Sequence, residues 1–334
     1  MGRKLYRGGL AAAACLVLTV AAACSGTSSP GSGRSPSALG AHGTLIVFGA
    51  GTLAAPFTAE IAAFKKANPG VTVHSQFGAS GDMVKNITQL HQPADVLGVA
   101  DYSLIPKLMV PGHATWYLGF VSNQVTFAYT SHSKGASGLT PANWYKVLAE
   151  PGVRIGRSNP AADPSGYQVL QMLRLASGYY HDPNLSASVL KNSPDSSVAE
   201  TETSLLGALQ SGQIDYLAIY RSTALETHLK YIALPPQINL SDPALAADYA
   251  KVSIHAGTLG TLTAKPIIYG MTIPTSAPDA ALGQKFVSFV LSPAGQAIMR
   301  SNGFVVISPA LANPKSKVPA SLQSLTTQWP ASGG

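Results

Sequence analysis

The sequence predicts an α/β protein of two lobes that hold a ligand cleft between them. Short β-rich runs alternate with amphipathic helical segments through residues 44–100, in the order β-α-β-α-β. A second α/β segment follows at residues 140–222, and an apolar run at 265–273 precedes two further helices. We expect this last part to pack on the first lobe, which gives two crossings between the lobes and a cleft between them.

The predicted domain boundaries follow from these changes of pattern. Residues 43–129 and 266–312 form the first lobe, and residues 130–265 form the second lobe. Residues 313–334 are rich in proline and serine, so we expect a loosely held C-terminal tail.

In the first lobe, turn residues separate each predicted strand from the helix that follows it. The spacing predicts strands over 44–48, 71–77 and 94–100 and helices over 56–64 and 83–90. Glycine-rich turns at 49–51 and 78–81 end the first two strands.

The second lobe and the returning segment show the same two periodicities. The second lobe is predicted to contain a helix from 140, a strand over 153–157, a helix from about 165, a helix over 203–210 and a strand over 214–220. The returning segment is predicted to contain a strand over 265–273 and helices over 282–290 and 293–302.

The first 24 residues are predicted to be an export leader. Basic residues precede an apolar run at 10–20, which is too short to span a bilayer as a helix. Small residues before Cys24 are typical of a bacterial lipoprotein cleavage site, so we expect Cys24 to carry the lipid that anchors the protein to the cell membrane. Residues 25–42 lack apolar periodicity and are predicted to be a flexible tether.

The composition of the chain favours a well-packed domain and argues against nucleic-acid binding. The chain is 46% hydrophobic and only 11% charged, and its cysteines, Cys15 and Cys24, both lie in the leader or at its end. An exported domain without disulfides depends on its core. The formal net charge is +7, but the basic residues are scattered and have no aromatic residues between them. A mild positive field of this kind speeds the capture of a small anion.

The turn before the helix at 165 is the first candidate binding site. Asp163 and Pro164 precede Ser165-Gly166-Tyr167, a pattern typical of a helix N-terminus. The first backbone N–H groups of a helix lack intrahelical acceptors, and the helix dipole adds positive potential there. The sequence therefore predicts an anion site at Ser165, Gly166 and Tyr167. Asp163 is either the cap of this helix or a ligand for an electrophilic centre within the anion.

Two hydroxyl side chains at other strand ends are expected to join this site. Thr52 follows the first predicted strand and Ser80 follows the second, each in a glycine-flanked turn before a helix. Ligands of open α/β sheets bind outside the carboxyl ends of the strands. Each residue is also a plausible helix cap when considered alone.

Enzymatic and sensory functions are the alternatives from other classes. Residues 78–82 approach the Gly-x-Ser-x-Gly motif of hydrolases, but Asp82 occupies its last position. The eight histidines form no His-x-x-x-His pair, and the glycine-rich turns lack the Lys-Ser/Thr of a nucleotide loop. We therefore expect no catalytic residue and no cofactor. A sensor ectodomain would have the same lobes and anchor, and the sequence does not distinguish it from a transport protein.

Several segments together resemble one family, the tungstate/molybdate-binding proteins of ABC importers, in the branch best represented among archaea. The matching segments, in the same order and at similar spacing between about residues 44 and 312, are Gly49–Phe57, Ala100–Met109, Trp116-Tyr117, Asn143–Tyr145, Ser158–Pro160, Asp163–Tyr167, Asp215-Tyr216 and Tyr220–Ser222. The resemblance implies a type II periplasmic-binding fold that closes on its ligand. It also implies a monomeric carrier that delivers molybdate or tungstate to an ABC permease and its ATPase.

The resemblance also assigns roles to particular residues. It implies hydroxyl and amide contacts from Thr52 and Ser80, a metal-contacting carboxylate from Asp163, and a second-lobe contribution from the helix amides and Tyr220. In this branch a second carboxylate usually stands just before Tyr-Arg-Ser, where this chain has Ile219. This difference leaves open whether the oxyanion is four- or six-coordinate and which metal is preferred.

Sulfate and phosphate are the alternative ligands. An ionised Asp163 would repel sulfate, whereas it could accept the proton that phosphate carries. A larger, Lewis-acidic centre such as tungsten or molybdenum can instead accept a carboxylate oxygen.

Overall fold

The computed structural model describes residues 41–78, 80–161, 163–257 and 260–330. The predicted leader at 1–24, its Cys24 and nearly all of the predicted tether at 25–42 lie outside the described residues. Within the described ranges, no helix combines the length and apolar character that crossing a membrane requires.

The strands of the described residues alternate with helices along most of the chain. In chain order they are β1 (His42–Ala50), β2 (Gly70–Gly78), β3 (Val96–Val99), β4 (Tyr117–Ser122), β5 (Val125–Tyr129), β6 (Ile155–Ser158), β7 (Val198–Ala199), β8 (Tyr216–Tyr220), β9 (Lys230–Tyr231), β10 (Ser253–His255), β11 (Thr261–Thr263), β12 (Ile268–Thr272), β13 (Val305–Asn313) and β14 (Thr326–Gln328).

The helices occupy the connections between these strands. In chain order they are α1 (Ala54–Ala67), α2 (Ser80–Thr88), α3 (Leu104–Leu108), α4 (Trp144–Leu148), α5 (Pro164–Tyr179), α6 (Leu185–Leu190), α7 (Leu206–Gln210), α8 (Arg221–Glu226), α9 (Pro236–Asn239), α10 (Ala246–Tyr249), α11 (Ala280–Leu291) and α12 (Pro293–Ser301). Two short 3-10 helices matter for the site, Gly51–Leu53 before α1 and Glu202–Leu205 before α7.

The first lobe is built on a seven-stranded mixed sheet of order β14-β13-β4-β12-β3-β1-β2. β1 lies parallel to both β2 and β3, while β12 pairs antiparallel with β3 and β4. The register places Ala50 opposite Gly78 at the carboxyl ends of β1 and β2. The residues that follow these two strands therefore meet at one edge of the sheet.

The second lobe contains a five-stranded sheet of order β7-β6-β8-β5-β9. β5 pairs antiparallel with β8 over its whole length, so it belongs to this sheet and not to the first lobe. The boundary predicted after residue 129 therefore moves to Asn123 and Gln124, where the chain first crosses between the sheets. Asn123 N–H donates to Ile267 O at 3.1 Å, which joins this crossing to the returning one. Neither glycine nor proline marks the break, whereas the Ser/Gly-rich segment at 131–138 is a loop of the second lobe.

Aromatic side chains dominate the packing between α1, the first sheet and α11. Phe57 packs edge-to-face on Phe286 with ring centroids 6.0 Å apart, and Phe64 packs on the same ring at 5.4 Å. All three side chains are buried. Such edge-to-face pairs add about 0.5–1.5 kcal/mol each to the burial of the rings. This packing fixes the start of α1 against the carboxyl end of β1.

The C-terminal segment is packed, in contrast to the loosely held tail that its composition suggested. β14 pairs with β13 in parallel, and Trp329 N–H donates to Ala312 O at 2.8 Å. The Trp329 ring is buried against Tyr102, with ring centroids 4.4 Å apart. The buried side chains of Val318, Leu322 and Trp329 thus anchor a segment that is otherwise rich in proline and serine.

Candidate functional site

A cavity of about 660 Å³ lies where residues of both lobes face each other. The first lobe contributes residues that follow its parallel strands: Ala50, Gly51, Thr52, Gly78, Ser80, Gly81, Ala100, Asp101 and Leu104, with Tyr269 from β12. The second lobe contributes Asp163, Pro164, Tyr167, Gln168, Thr201, Thr203 and Tyr220. The volume lies within the range of roughly 300–1,000 Å³ that small-molecule sites occupy.

Helix starts surround this cavity. The 3-10 helix that leads into α1 begins at Gly51, α2 begins at Ser80 and α5 begins at Pro164. Residues at all three starts line the cavity. Because the first N–H groups of a helix lack intrahelical acceptors, the starts of the 3-10 helix and of α2 provide donors without a charged side chain. The start of α5 adds the positive potential of its dipole, but Pro164 has no N–H.

The hydroxyls of the first lobe are held by hydrogen bonds at their oxygen atoms. Thr52 Oγ1 lies 2.9 Å from the Tyr269 hydroxyl, which also accepts from Asn123 Nδ2 at 3.2 Å. Ser80 Oγ accepts the backbone N–H of Ala100 at 3.0 Å. No described residue accepts a proton from Ser80 Oγ, so among the described residues this proton is left for a ligand.

Asp163 caps two helices at the wall of the cavity. Its Oδ1 accepts from Ser165 N at 3.2 Å, and its Oδ2 accepts from Ser165 Oγ at 3.2 Å and from Glu202 N at 3.0 Å. Of the two roles predicted for Asp163, the structure displays the cap. Asp163 is also one of the residues that line the cavity, so its cap lies at the cavity wall.

The structure places Ser165 and Gly166 behind the cavity wall, which corrects the prediction that their amides are free. Ser165 N–H donates to the Asp163 carboxylate, and Gly166 N–H donates to Asp163 O at 3.0 Å. The Ser165 hydroxyl lies 2.7 Å from Ser158 Oγ. A side chain on Gly166 would meet Ser158 O at 2.5 Å, so glycine permits the first turn of α5 to pack on the loop after β6.

Two tyrosines from the second lobe line the cavity in different ways. Burial, together with the nearby carboxylates of Asp101 and Asp163, raises the pKa of Tyr167. The Tyr220 hydroxyl donates to Gln168 Oε1 at 2.6 Å, and burial raises the pKa of Tyr220 well above its ordinary value. Because the Tyr220 proton is already donated, Gln168 is the neighbouring group with an N–H donor for a ligand.

Asp101 is a cavity residue that sequence reasoning did not select. Lys265 Nζ lies 3.0 Å from Asp101 Oδ1, and Ser103 N–H donates to the same oxygen at 2.9 Å. Burial alone would raise the pKa of Asp101, but Lys265 and Ser103 together lower it below its ordinary value. The carboxylate thus stays ionised. The strand-end position after β3 was the available signal, because the Lys265 partner comes from the returning segment.

Glu202 was also missed, and it supplies a second carboxylate close to Asp163. It is 5% exposed and accepts from Tyr220 N at 3.1 Å and from Thr223 Oγ1 at 2.7 Å. Burial is the largest cause that raises its pKa to about 7. Ile219, which occupies the position where the resemblance implies a second carboxylate, is fully buried in an apolar cluster with Leu209.

The arrangement defines a class of protein. Two α/β lobes are joined by two crossings, and a cavity with hydroxyl and carboxylate side chains in its wall lies between them at strand ends and helix starts. These are the features of a solute-binding protein with the two-lobed type II periplasmic-binding fold, and they confirm the predicted fold class. In the part of the chain that the structure describes, no cluster of three or more His, Cys, Asp or Glu side chains could hold a metal ion.

Comparison with known proteins identifies the family. Residues 45–305 match the model of the bacterial extracellular solute-binding proteins. An uncharacterized solute-binding protein of Petrotoga mobilis is 37% identical over 286 residues, which cover 84% of this chain and 89% of that protein. A molybdate/tungstate-binding protein of Pyrococcus abyssi is 38% identical over 295 residues, which cover 80% of this chain and 86% of that protein. The chain therefore belongs to the family of bacterial extracellular solute-binding proteins.

A solved structure shares the fold. The periplasmic molybdate-binding protein of Azotobacter vinelandii superposes with a TM-score of 0.55 at 19% sequence identity, over 79% of this chain and 99% of that chain. The similarity extends over both lobes and confirms the overall architecture that the sequence predicted.

Proposed function

We propose that the protein captures a molybdate or tungstate oxyanion in the cavity between its lobes and delivers it to an ABC permease and its ATPase. The observation that carries this proposal is the donor set of the cavity. The two helix starts of the first lobe and the hydroxyls of Thr52 and Ser80 converge on it, and none of the described residues that line it is lysine or arginine. Converging N–H and O–H donors can replace the hydration of a small dianion without countercharges.

The Asp163 carboxylate favours a metal oxyanion over sulfate within this class of ligand. A carboxylate at the cavity wall repels sulfate, because the sulfur atom of sulfate accepts no further oxygen ligand. A molybdenum or tungsten centre can accept a carboxylate oxygen, so the same group becomes attractive. The name of the Pyrococcus abyssi relative, a molybdate/tungstate-binding protein, supports the same choice. Whether Asp163 enters the coordination of the metal decides between four- and six-coordinate binding.

The proposal extends to the surroundings of the protein. Membership in an extracellular solute-binding family supports an extracytoplasmic location. We propose that Cys24 carries the lipid that anchors the chain to the cell membrane and that the protein acts as a monomer without a cofactor. A labelled fatty acid incorporated by the chain, and lost on Cys24→Ala, would test the anchor.

The identity of the ligand is tested by calorimetric titration of the purified protein with tungstate, molybdate, sulfate and phosphate. We expect tungstate or molybdate to bind at least about 100-fold more tightly than sulfate or phosphate, a difference of roughly 3 kcal/mol. Tighter binding of phosphate would indicate that Asp163 accepts a ligand proton. Tighter binding of sulfate would contradict the role proposed for Asp163.

A further inference from the structure

We propose that Asn123 and Tyr269 form a hydrogen-bond relay that commits the Thr52 hydroxyl to donate to the bound anion. The relay makes Asn123 and Tyr269 positioning residues, because they act on the ligand through Thr52. This inference rests on the proposed function, since it requires an anion in the cavity.

The first step is the orientation of the Asn123 side chain. Its Oδ1 accepts the backbone N–H of Gln124 at 2.9 Å, and a backbone N–H can only donate. The amide oxygen therefore faces Gln124, and the amide nitrogen faces the site. Asn123 Nδ2 donates one proton to Ser222 Oγ at 2.8 Å and the other to the Tyr269 hydroxyl at 3.2 Å. Asn123 is fully buried, so water does not compete for these bonds.

The second step is the direction of the Tyr269 hydroxyl. Its oxygen accepts from Asn123, which has no acceptor to offer in return on that side. Within the described ranges, its other hydrogen-bond partner is Thr52 Oγ1 at 2.9 Å. Burial of Tyr269, which is 1% exposed, raises its pKa to about 12, so the hydroxyl keeps its proton near neutral pH. The Tyr269 proton is therefore donated to Thr52.

The third step is the Thr52 hydroxyl itself. Its oxygen accepts from Tyr269, and the described residues offer this hydroxyl no other hydrogen-bond partner. The Thr52 proton is thus left to point into the cavity that Thr52 lines. The Ser80 hydroxyl oxygen also accepts a hydrogen bond, in this case from the backbone N–H of Ala100. The first lobe therefore presents two hydroxyls whose protons are available to an anion.

The origin of the relay lies where the chain passes between the lobes. Asn123 follows β4, and its own N–H donates to Ile267 O in the returning crossing. Ser222, its other side-chain partner, belongs to α8 of the second lobe. The donor direction of Thr52 is consequently fixed by contacts that join both lobes, and it is set before any ligand arrives. Preorganised donors of this kind bind more tightly because their ordering is complete in the free protein.

A double-mutant cycle with tungstate tests the relay. Tyr269→Phe removes the proton that Thr52 accepts, and Thr52→Val removes the donor to the anion. We expect Tyr269→Phe to weaken tungstate binding about tenfold in the unsubstituted chain, the effect of one charge-assisted hydrogen bond. In the Thr52→Val background the same change should alter tungstate affinity less than about twofold, because the hydroxyl through which Tyr269 acts on the anion is then absent. A loss of equal size in both backgrounds, or no loss in either, would overturn the relay.

A second variant and a control keep the result interpretable if Tyr269→Phe fails to fold. Asn123→Asp places an acceptor opposite Tyr269, which turns its proton away from Thr52 and should give the same non-additive loss. Tyr216→Phe is the control, because the buried Tyr216 hydroxyl donates to Lys134 O at 2.7 Å away from the cavity. It should leave tungstate affinity unchanged. If the unsubstituted protein binds neither tungstate nor molybdate, the proposed function itself fails. If it binds them and the cycle is additive, only the relay fails.

Discussion

Asp163 Oδ2 accepts the backbone N–H of Glu202 at 3.0 Å, so one carboxylate holds the start of α5 and the 3-10 helix at Glu202–Leu205 together. The Glu202 carboxylate in turn accepts Tyr220 N–H at 3.1 Å, and the Tyr220 hydroxyl returns to α5 at Gln168. This closed set of hydrogen bonds forms the second-lobe wall of the cavity. The position of the proposed metal-contacting group is thus fixed by the same bonds that stabilise the lobe.

Replacement of Asp163 should therefore affect both stability and binding. Asp163→Ala removes acceptors from two helix starts, and we expect the free energy of unfolding to fall by about 1–3 kcal/mol in urea titrations. We also expect tungstate affinity to fall at least about tenfold.

Asp279→Ala provides the matched control for the Asp163 prediction. Asp279 caps α11 by accepting Leu282 N–H at 2.8 Å, and it is not among the residues that line the cavity. The Asp279→Ala variant should lose about as much free energy of unfolding as Asp163→Ala and keep its tungstate affinity. Unchanged affinity in Asp163→Ala would leave Asp163 with only the capping role.

The close contact at Gly166 leads to a second prediction. In Gly166→Ala the new methyl group meets Ser158 O at 2.5 Å, so α5 must shift away from the loop after β6. We expect a loss of about 1–3 kcal/mol in stability, together with weaker tungstate binding because Asp163 shifts with the helix. Gly178→Ala, in the same helix but with no atom within 4 Å of the new methyl group, should instead gain up to about 1 kcal/mol. Equal effects at the two positions would contradict this packing argument.

The ion pair of Asp101 and Lys265 gives a third prediction. Lys265→Met leaves the Asp101 carboxylate at the cavity wall without its cation, so an incoming oxyanion meets an uncompensated negative charge. We expect tungstate affinity to fall about fivefold to tenfold, with a larger loss at low ionic strength. Adding Asp101→Asn to Lys265→Met should restore the affinity to within about threefold of the original. Failure of this rescue would show that Lys265 acts by another route.

Glu60 gives a prediction about pH that is independent of the ligand. Its side chain is fully buried in α1, and in the described part of the chain neither carboxylate oxygen has a hydrogen-bond partner. Burial raises its pKa from 4.5 to about 8. Because the folded state holds this proton more tightly, the contribution to stability is complete below about pH 4.5 and is lost as the pH rises through about 8.

Urea titrations from pH 4.5 to 9 measure this contribution by comparing the original chain with Glu60→Gln. The variant cannot titrate at this position, so its free energy of unfolding should fall less across the pH range than that of the original chain. The difference between the two decreases should be on the order of 3–5 kcal/mol. Glu226→Gln removes an exposed carboxylate and serves as the control, with a pH profile like that of the original chain. Parallel profiles for Glu60→Gln and the original chain would show that Glu60 does not carry the proton.

Local patterns in the sequence were sufficient to place the first-lobe hydroxyls. Thr52 and Ser80 each follow a strand whose end is marked by glycine, and the rule for open sheets predicts that such ends meet. The structure brings both residues to one cavity with Asp163, Tyr167 and Tyr220. The predictions of Thr52 and Ser80 needed only periodicity, turn residues and the order of strands, whereas Tyr220 was implied by the family resemblance.

The groups that hold these residues in place were not accessible to the same reasoning. Asp101 and Lys265 are 164 positions apart, and Asn123 and Tyr269 are 146 positions apart. No local pattern links such pairs, since their proximity depends on how the returning segment packs on the first lobe. Glu202 escaped notice for a related reason: it lies at the start of a short helix and points at α8, while only its threonine neighbours line the cavity.

Anomalous diffraction at the tungsten edge, from crystals of the protein grown with tungstate, locates the ligand without assumptions about its contacts. We expect one strong peak in the cavity, with oxyanion oxygens within about 3.2 Å of Thr52 Oγ1 and Ser80 Oγ and the metal beside the Asp163 carboxylate. A tungsten peak outside the cavity, or one in the cavity that the two hydroxyls do not contact, would contradict the binding site described for this protein.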